Sequence, residues 1–403
     1  MNVHLKYLSF RKMKMKTKNK IKEKTKKCGA IMLLLAVLPC FFAVGVFAEE
    51  KGESLPQEYT AVVEGLPSEL EDTLPEGIFS TDAEVFGDAV AEMSSAEYLL
   101  GYIADVASLG IGEALKLLVA LVGILVISSV FSALRTSFAS ESISRAVSFC
   151  TSVAIFGTVI SMQIVHLQRA AEFFERINAL MLGMIPAAAV IYAMGGNIMT
   201  AVSSSGSLYL FLAFCENFCA KTIVPVVSVC TAFSLCASLS PAVNMRGFAS
   251  ALKKCYVFFL GLIMTVLLSA LGSQTALSAA ADSVSARAAK LLASNIIPIV
   301  GGSVGETLRT VASSVGYIKN ACGVGAIIFI ILLVMPILIT LLLTRTVFIL
   351  SVAVADLLGC ERESRALGEL GSVYGTLIAV VCMVSVMFIL ALTLFVRCAV
   401  AAG

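Results

Sequence analysis

The chain contains no tryptophan, and only 14% of its 403 residues are charged. Soluble globular proteins carry about 25% charged residues. The deficit excludes an ordinary water-facing surface over most of the length. Without tryptophan, the interfacial anchoring of membrane helices falls to Tyr or Phe. The 12 cysteines avoid residues 49–113, the only long stretch that reads as aqueous. That excludes a disulfide framework there. Most cysteines, including Cys150, Cys215, Cys219, Cys230, Cys236 and Cys382, lie in apolar runs, where a free thiol packs as a small hydrophobe. Cys215 and Cys219 share a helical face, but no histidine is near to complete a metal site.

Enzyme signatures are also missing. There is no phosphate-cradling loop of the GxxxxGK[ST] type, no HExxH pair and no GxSxG elbow. Gly301-Gly302-Ser303-Val304-Gly305 is glycine-rich, but no predicted strand precedes it and no lysine follows in register. The expectation is a chain without catalytic residues, cofactor or metal, and without a nucleic-acid partner.

What is present is apolar sequence: 59% of residues are hydrophobic and the mean hydropathy is +0.95. Residues 1–27 are strongly basic, 30–47 are apolar, and Val46-Phe47-Ala48 is followed by Glu49-Glu50. Residues 1–48 therefore read as a signal peptide cleaved between Ala48 and Glu49. The alternative is an uncleaved first membrane helix, and either way the basic side stays in the cytoplasm. Residues 49–110 then form an acidic extracytoplasmic segment in which Lys51 is the one basic residue. Pro56, Pro67 and Pro75 predict an extended arm or docking segment, with helix only from about Asp82.

Residues 111–403 read as a multi-span transmembrane domain, so the fold class is all-α and polytopic. Runs at 114–134 and 146–167 have the roughly 20 residues needed to cross a bilayer. Arg135 and Arg145 between them mark a cytoplasmic loop. Residues 168–178 are charged and amphipathic, and read as an outer interfacial linker. The run at 179–194 contains Pro186 and reads as a span or a re-entrant piece. The run at 208–239 is longer than one span and holds Glu216, Asn217, Lys221 and Pro225. Arg246, Lys253 and Lys254 form the next cytoplasmic cluster. A span at 256–271, a second double-length run at 323–358 with Pro336 and Arg345, a charged loop at 361–369 and a last span at 373–396 complete the reading. The expected count is seven to ten spans.

Two stretches, 145–240 and 253–358, share an order of features, with Pro186 answering Pro298 and Pro225 answering Pro336. A duplicated half with helices broken at these four prolines would place interrupted segments around a central path. The alternative is a bundle of kinked helices held by small residues. Ionisable residues in apolar runs are costly and tend to face protein or water. Glu216, Lys221, Arg345 and Asp356 are accordingly the candidates for a pathway or partner contact. Lys221, Arg345 and Asp356 also admit a plainer reading as turn or helix-end residues, and His166 reads as interfacial.

Several stretches resemble a known family. They are Ile297-Pro298-Ile299-Val300-Gly301-Gly302, the run from Ser314 through Ile318-Lys319-Asn320-Ala321-Cys322-Gly323-Val324-Gly325, the Met184-Ile185-Pro186 segment, and residues 365–375. Together they resemble the stage III sporulation protein AE family of endospore-forming bacteria, over nearly the whole chain. The resemblance implies a multi-pass protein of the mother-cell membrane around the forespore. It implies a place in a channel or feeding-tube complex needed for late forespore gene expression, as export-gate-like core or platform. Its partners would be other membrane and extracytoplasmic proteins of that complex. A stand-alone secondary transporter and a non-conducting assembly scaffold are the alternatives.

Overall fold

The computed structural model describes residues 74–138, 141–194, 198–215, 218–219, 221–239, 245–296 and 301–398. The chain divides into Met1–Glu49 and Glu50–Gly403, and every described residue belongs to the second unit. The signal-peptide reading with Ala48 and Glu49, the acidic stretch 49–73, Glu216 and Pro298 lie outside the described residues.

A 3-10 turn at Glu76–Phe79 leads into α1 (Ala83–Met93). Asp82 caps α1, its carboxylate accepting from the Glu84 N–H at 2.9 Å. Phe86, Val90 and Met93 recur at helical spacing and are buried. α2 (Ala96–Phe138) begins where Ser95 Oγ accepts from the Tyr98 N–H. α3 is Glu141–Met194, α4 Ile198–Cys215, α5 Lys221–Leu239, α6 Met245–Ile296, α7 Gly301–Leu357 and α8 Glu361–Cys398. The described residues hold no strand. Five helices among them are long and apolar enough to cross a membrane: Ala96–Phe131, Phe149–Ile191, Gly247–Gln274, Ala321–Leu357 and Glu361–Thr393.

Several expectations are corrected. Residues 168–178 are not a separate linker but the middle of α3. Phe173, Phe174 and Ile177 are buried there while Glu172 and Glu175 face outward. A 54-residue helix is about 80 Å long against about 30 Å of hydrocarbon, so α3 has room for a charged stretch beyond the bilayer. Residues 361–369 are not a loop; they open α8, with Glu361 and Glu363 in its first turn, where the helix dipole favours acidic groups. α2 runs unbroken through residue 110, the expected edge of the acidic segment.

Among the described residues, the prolines do not break their helices as expected. Pro186 lies inside α3 and Pro336 inside α7. Pro336 has no N–H for the Leu332 carbonyl one turn earlier. The Tyr102 hydroxyl of α2 donates to that carbonyl instead, at 3.1 Å. A helix keeps running through proline where another group satisfies the freed oxygen. Pro225 lies inside α5, in its second turn.

Contact levels give the helix directions. Tyr102 meets Leu332 and Ser129 meets Leu358, so α2 and α7 run parallel. Arg169 pairs with Glu113 at 3.5 Å, closing α2 and α3 into an antiparallel hairpin. Phe348 meets Tyr374, and Ser364 meets Asp356, so α7 and α8 are antiparallel. Lys253 meets Ser372, and a Cβ on Gly261 would touch Met383, so α6 runs parallel to α8. Ser207 meets Gln274, Thr222 meets Tyr256, and Phe233 meets Phe248. α4 and α5 thus travel in one direction along α6: the long run at 208–239 does not fold back on itself.

These directions collect one set of helix ends. α7 closes in a Schellman cap, with Cys360 N–H on the Ala355 carbonyl, Gly359 N–H on that of Asp356, and Gly359 at φ +73. Ser128 meets Glu363 and Ser129 meets Leu358, so this turn sits beside the end of α2. The sequence positions Arg135, Arg145, Arg246, Lys254, Arg362 and Arg365 therefore fall toward one end of the bundle. α1 and the start of α2 lie toward the other.

Candidate intramembrane polar site

α8 carries Gly368, Gly371 and Gly375 along one stretch, which lets neighbouring side chains lie against its backbone. Three helices use that space. From α6, the Lys253 ammonium donates to Ser372 Oγ at 2.8 Å and lies 3.7 Å from Glu369. From α3, His166 Nδ1 lies 3.0 Å from the Tyr374 hydroxyl, with the two rings edge to face. From α7, the Arg345 guanidinium packs on Gly375, where a Cβ would sit 3.3 Å from Cζ. Phe348 packs on the other side of Tyr374, at 5.2 Å between centroids. Lys253 is 6% exposed and His166 1%.

A second polar contact lies one turn earlier on α3. Thr231 of α5 donates to its own Val227 carbonyl, so its oxygen is left to accept from Gln163 Nε2 at 2.7 Å. That fixes the amide orientation and leaves Gln163 Oε1 buried without a partner. A pocket of about 200 Å³, lined by Ile160, Gln163, Ile164, Leu167, Ser228, Thr231 and Ala232, opens beside it.

Of the residues singled out from sequence, Arg345 joins the α8 site. Lys221 is exposed at the start of α5. Asp356 is exposed at the end of α7 and accepts from Ser364 Oγ at 2.5 Å, so it braces the α7–α8 turn. The sequence reading missed Lys253 and Glu369, which it placed in loops, and His166, which it placed at an interface. The missed signal is helix extent: α6 starts at Met245, which carries Lys253 two turns into the helix. Among the described residues, no three His, Cys, Asp or Glu side chains stand together as a metal site would need. The arrangement holds charged and polar groups at fixed depth and locks α3, α6 and α7 onto α8.

The sequence profile of stage III sporulation protein AE matches residues 88–399, from α1 to the end of α8. The chain belongs to the stage III sporulation protein AE family. The stage III sporulation protein AE of Bacillus subtilis (strain 168) is 23% identical over 283 residues, covering 70% of each chain. No solved structure matches. The family assignment covers every helix of the α8 site, including Lys253, His166, Arg345 and Glu369.

Proposed function

We propose that this family member is a multi-pass component of the mother-cell membrane that surrounds the engulfed forespore. There it serves the channel complex that sustains late forespore gene expression, as its export-gate-like core or platform. The observation that carries this reading is the family match across the whole helical bundle, 88–399. The helix directions support it. We assign to the cytoplasm the end where the short connections next to the spans carry Arg135, Arg145, Arg246, Lys254, Arg362 and Arg365; Arg169, Arg176, Arg309 and Lys319 lie toward the other end. The α1 end and the acidic residues leading into it then face the space between the two membranes, where extracytoplasmic partners would dock. The signal peptide belongs to the same reading.

α3 and α6 both run parallel to α8. A duplication relating 145–240 to 253–358 would therefore be a parallel one, in keeping with its two basic loops lying on the same side. The packed seam around Phe348 and Tyr374, both about 1% exposed, supports the scaffold as second reading. A charge reversal, Glu216→Lys, separates the two: a lined path fails while a scaffold that still folds works.

The test is deletion of the gene in its native host, with a late forespore reporter. Completed engulfment with a silent reporter is the expected result. Normal spores would overturn the proposal and leave the stand-alone transporter as the leading reading.

A further inference from the structure

The pocket between α3 and α5 holds about 200 Å³, and among the described residues none that lines it is charged. Gln163 and Ile164 belong to one wall, Ser228, Thr231 and Ala232 to the other. Gln163 lies within the candidate span Phe149–Ile191, and Ser228 and Thr231 lie in the apolar stretch Lys221–Phe233. At the mouth Ile164 is 52% exposed, and Ser228 and Ala232 are exposed too. In a membrane such a mouth opens to lipid, so an occupant enters from the bilayer.

Two polar groups define what that occupant carries. The first is the Gln163 amide oxygen. Gln163 is 4% exposed, and its Nε2 donates to Thr231, whose own hydrogen goes to the Val227 carbonyl. Oε1 is therefore the buried atom without a donor. A polar group shut away from water without a hydrogen bond is costly, and hydrocarbon offers it none. The last torsion of a glutamine is soft, so the oxygen can turn toward a donor in the pocket. The second group is Ser228 Oγ, exposed at the rim and with no hydrogen bond of its own.

The wall needs a donor, and the rim supplies one. A hydroxyl answers both: its hydrogen goes to Gln163 and its oxygen accepts from Ser228. An ammonium donates without accepting, an ionised carboxylate accepts without donating, and either charge is expensive at this place. Size is bounded as well. An apolar cavity of about 150 Å³ takes one benzene ring. This pocket takes a single ring or a short chain, with the rest of the molecule passing through the mouth into lipid.

We propose that the α3–α5 pocket binds a lipid-soluble alcohol, a neutral amphiphile with one hydroxyl, and that Gln163 is its hydrogen-bond acceptor. The inference rests on this pocket and does not depend on which complex the chain serves.

The experiment uses the full chain in nanodiscs of phosphatidylcholine. The probe is an octanol bearing a photoactivated diazirine, and its adducts are mapped by mass spectrometry. Adducts are expected to concentrate on Ile160, Ile164 and Ala232. Unlabelled octanol should displace the probe about tenfold better than octyl methyl ether, which lacks the donor. Gln163→Leu and Gln163→Met should each erase that advantage while keeping the thermal transition of the parent. The comparison of alcohol with ether on the unaltered chain stands even where a variant does not fold. Equal displacement by the two overturns the proposal, as does an advantage that survives loss of the Gln163 amide. Adducts spread evenly over the lipid-facing helices, or a pocket from which neither competitor displaces the probe, overturn it as well.

Discussion

The Tyr102 hydroxyl and the Leu332 carbonyl are joined at 3.1 Å across the seam of α2 and α7, and the bond exists because Pro336 cannot make it. The pair explains how a proline sits in the middle of a continuous helix of 57 residues. It also ties the first candidate span to the most apolar one.

Tyr102→Phe should destabilise the protein by about 1 kcal/mol, because it strands the Leu332 carbonyl. Pro336→Ala returns the helical N–H, so the same Tyr102→Phe change should then cost almost nothing. A double-mutant cycle by denaturant unfolding in detergent checks the coupling. Additive losses would mean that the hydroxyl does not serve the proline-freed oxygen.

The Lys253–Glu369 pair is unequal. The Lys253 side chain is 7% exposed and that of Glu369 27%. Glu369→Gln leaves a buried cation and should cost about 3 kcal/mol. Lys253→Gln leaves a carboxylate that water still reaches, and should cost about 1 kcal/mol. Unfolding midpoints of the two variants, compared side by side, check the order. The reverse order would put the buried charge on the wrong partner.

Cys360 sits in the α7–α8 turn and is 5% exposed. Burial raises its thiol pKa above the ordinary 9.0, and the Glu363 carboxylate adds to the rise, against a hydrogen bond with Ser128. A raised folded-state pKa contributes stability below the ordinary thiol value. That contribution is lost as pH climbs through the folded one. In a variant keeping only this cysteine, maleimide labelling at neutral pH should be slow when folded and fast in denaturing detergent. Equal rates would show an open turn.

Much of the fold was legible because lipid-spanning helices need long apolar runs and little else. The runs at 114–134, 146–167, 256–271 and 373–396 all fall inside helices. Helix boundaries were harder. The charges at Glu361 and Glu363 suggested a loop, yet acidic residues suit a helix start. Glu172 and Glu175 suggested a linker, yet Phe173 and Phe174 continue the buried face of α3. Proline as a breaker failed for a different reason. Whether a proline interrupts a helix depends on a partner such as Tyr102, more than two hundred residues away. The α8 site was equally hidden. Arg345 stood out as a charge in an apolar run, but the convergence of Lys253, His166 and Arg345 on α8 is set by helix packing.

Compartment-specific complementation tests the central claim most directly. In a sporulating host lacking the gene, this chain is expressed from a promoter active only in the mother cell or only in the forespore. A late forespore reporter is then read after engulfment. The account predicts that mother-cell expression restores the reporter and forespore expression does not. Rescue from the forespore alone, or from neither compartment by a chain shown to be in the membrane, would contradict it.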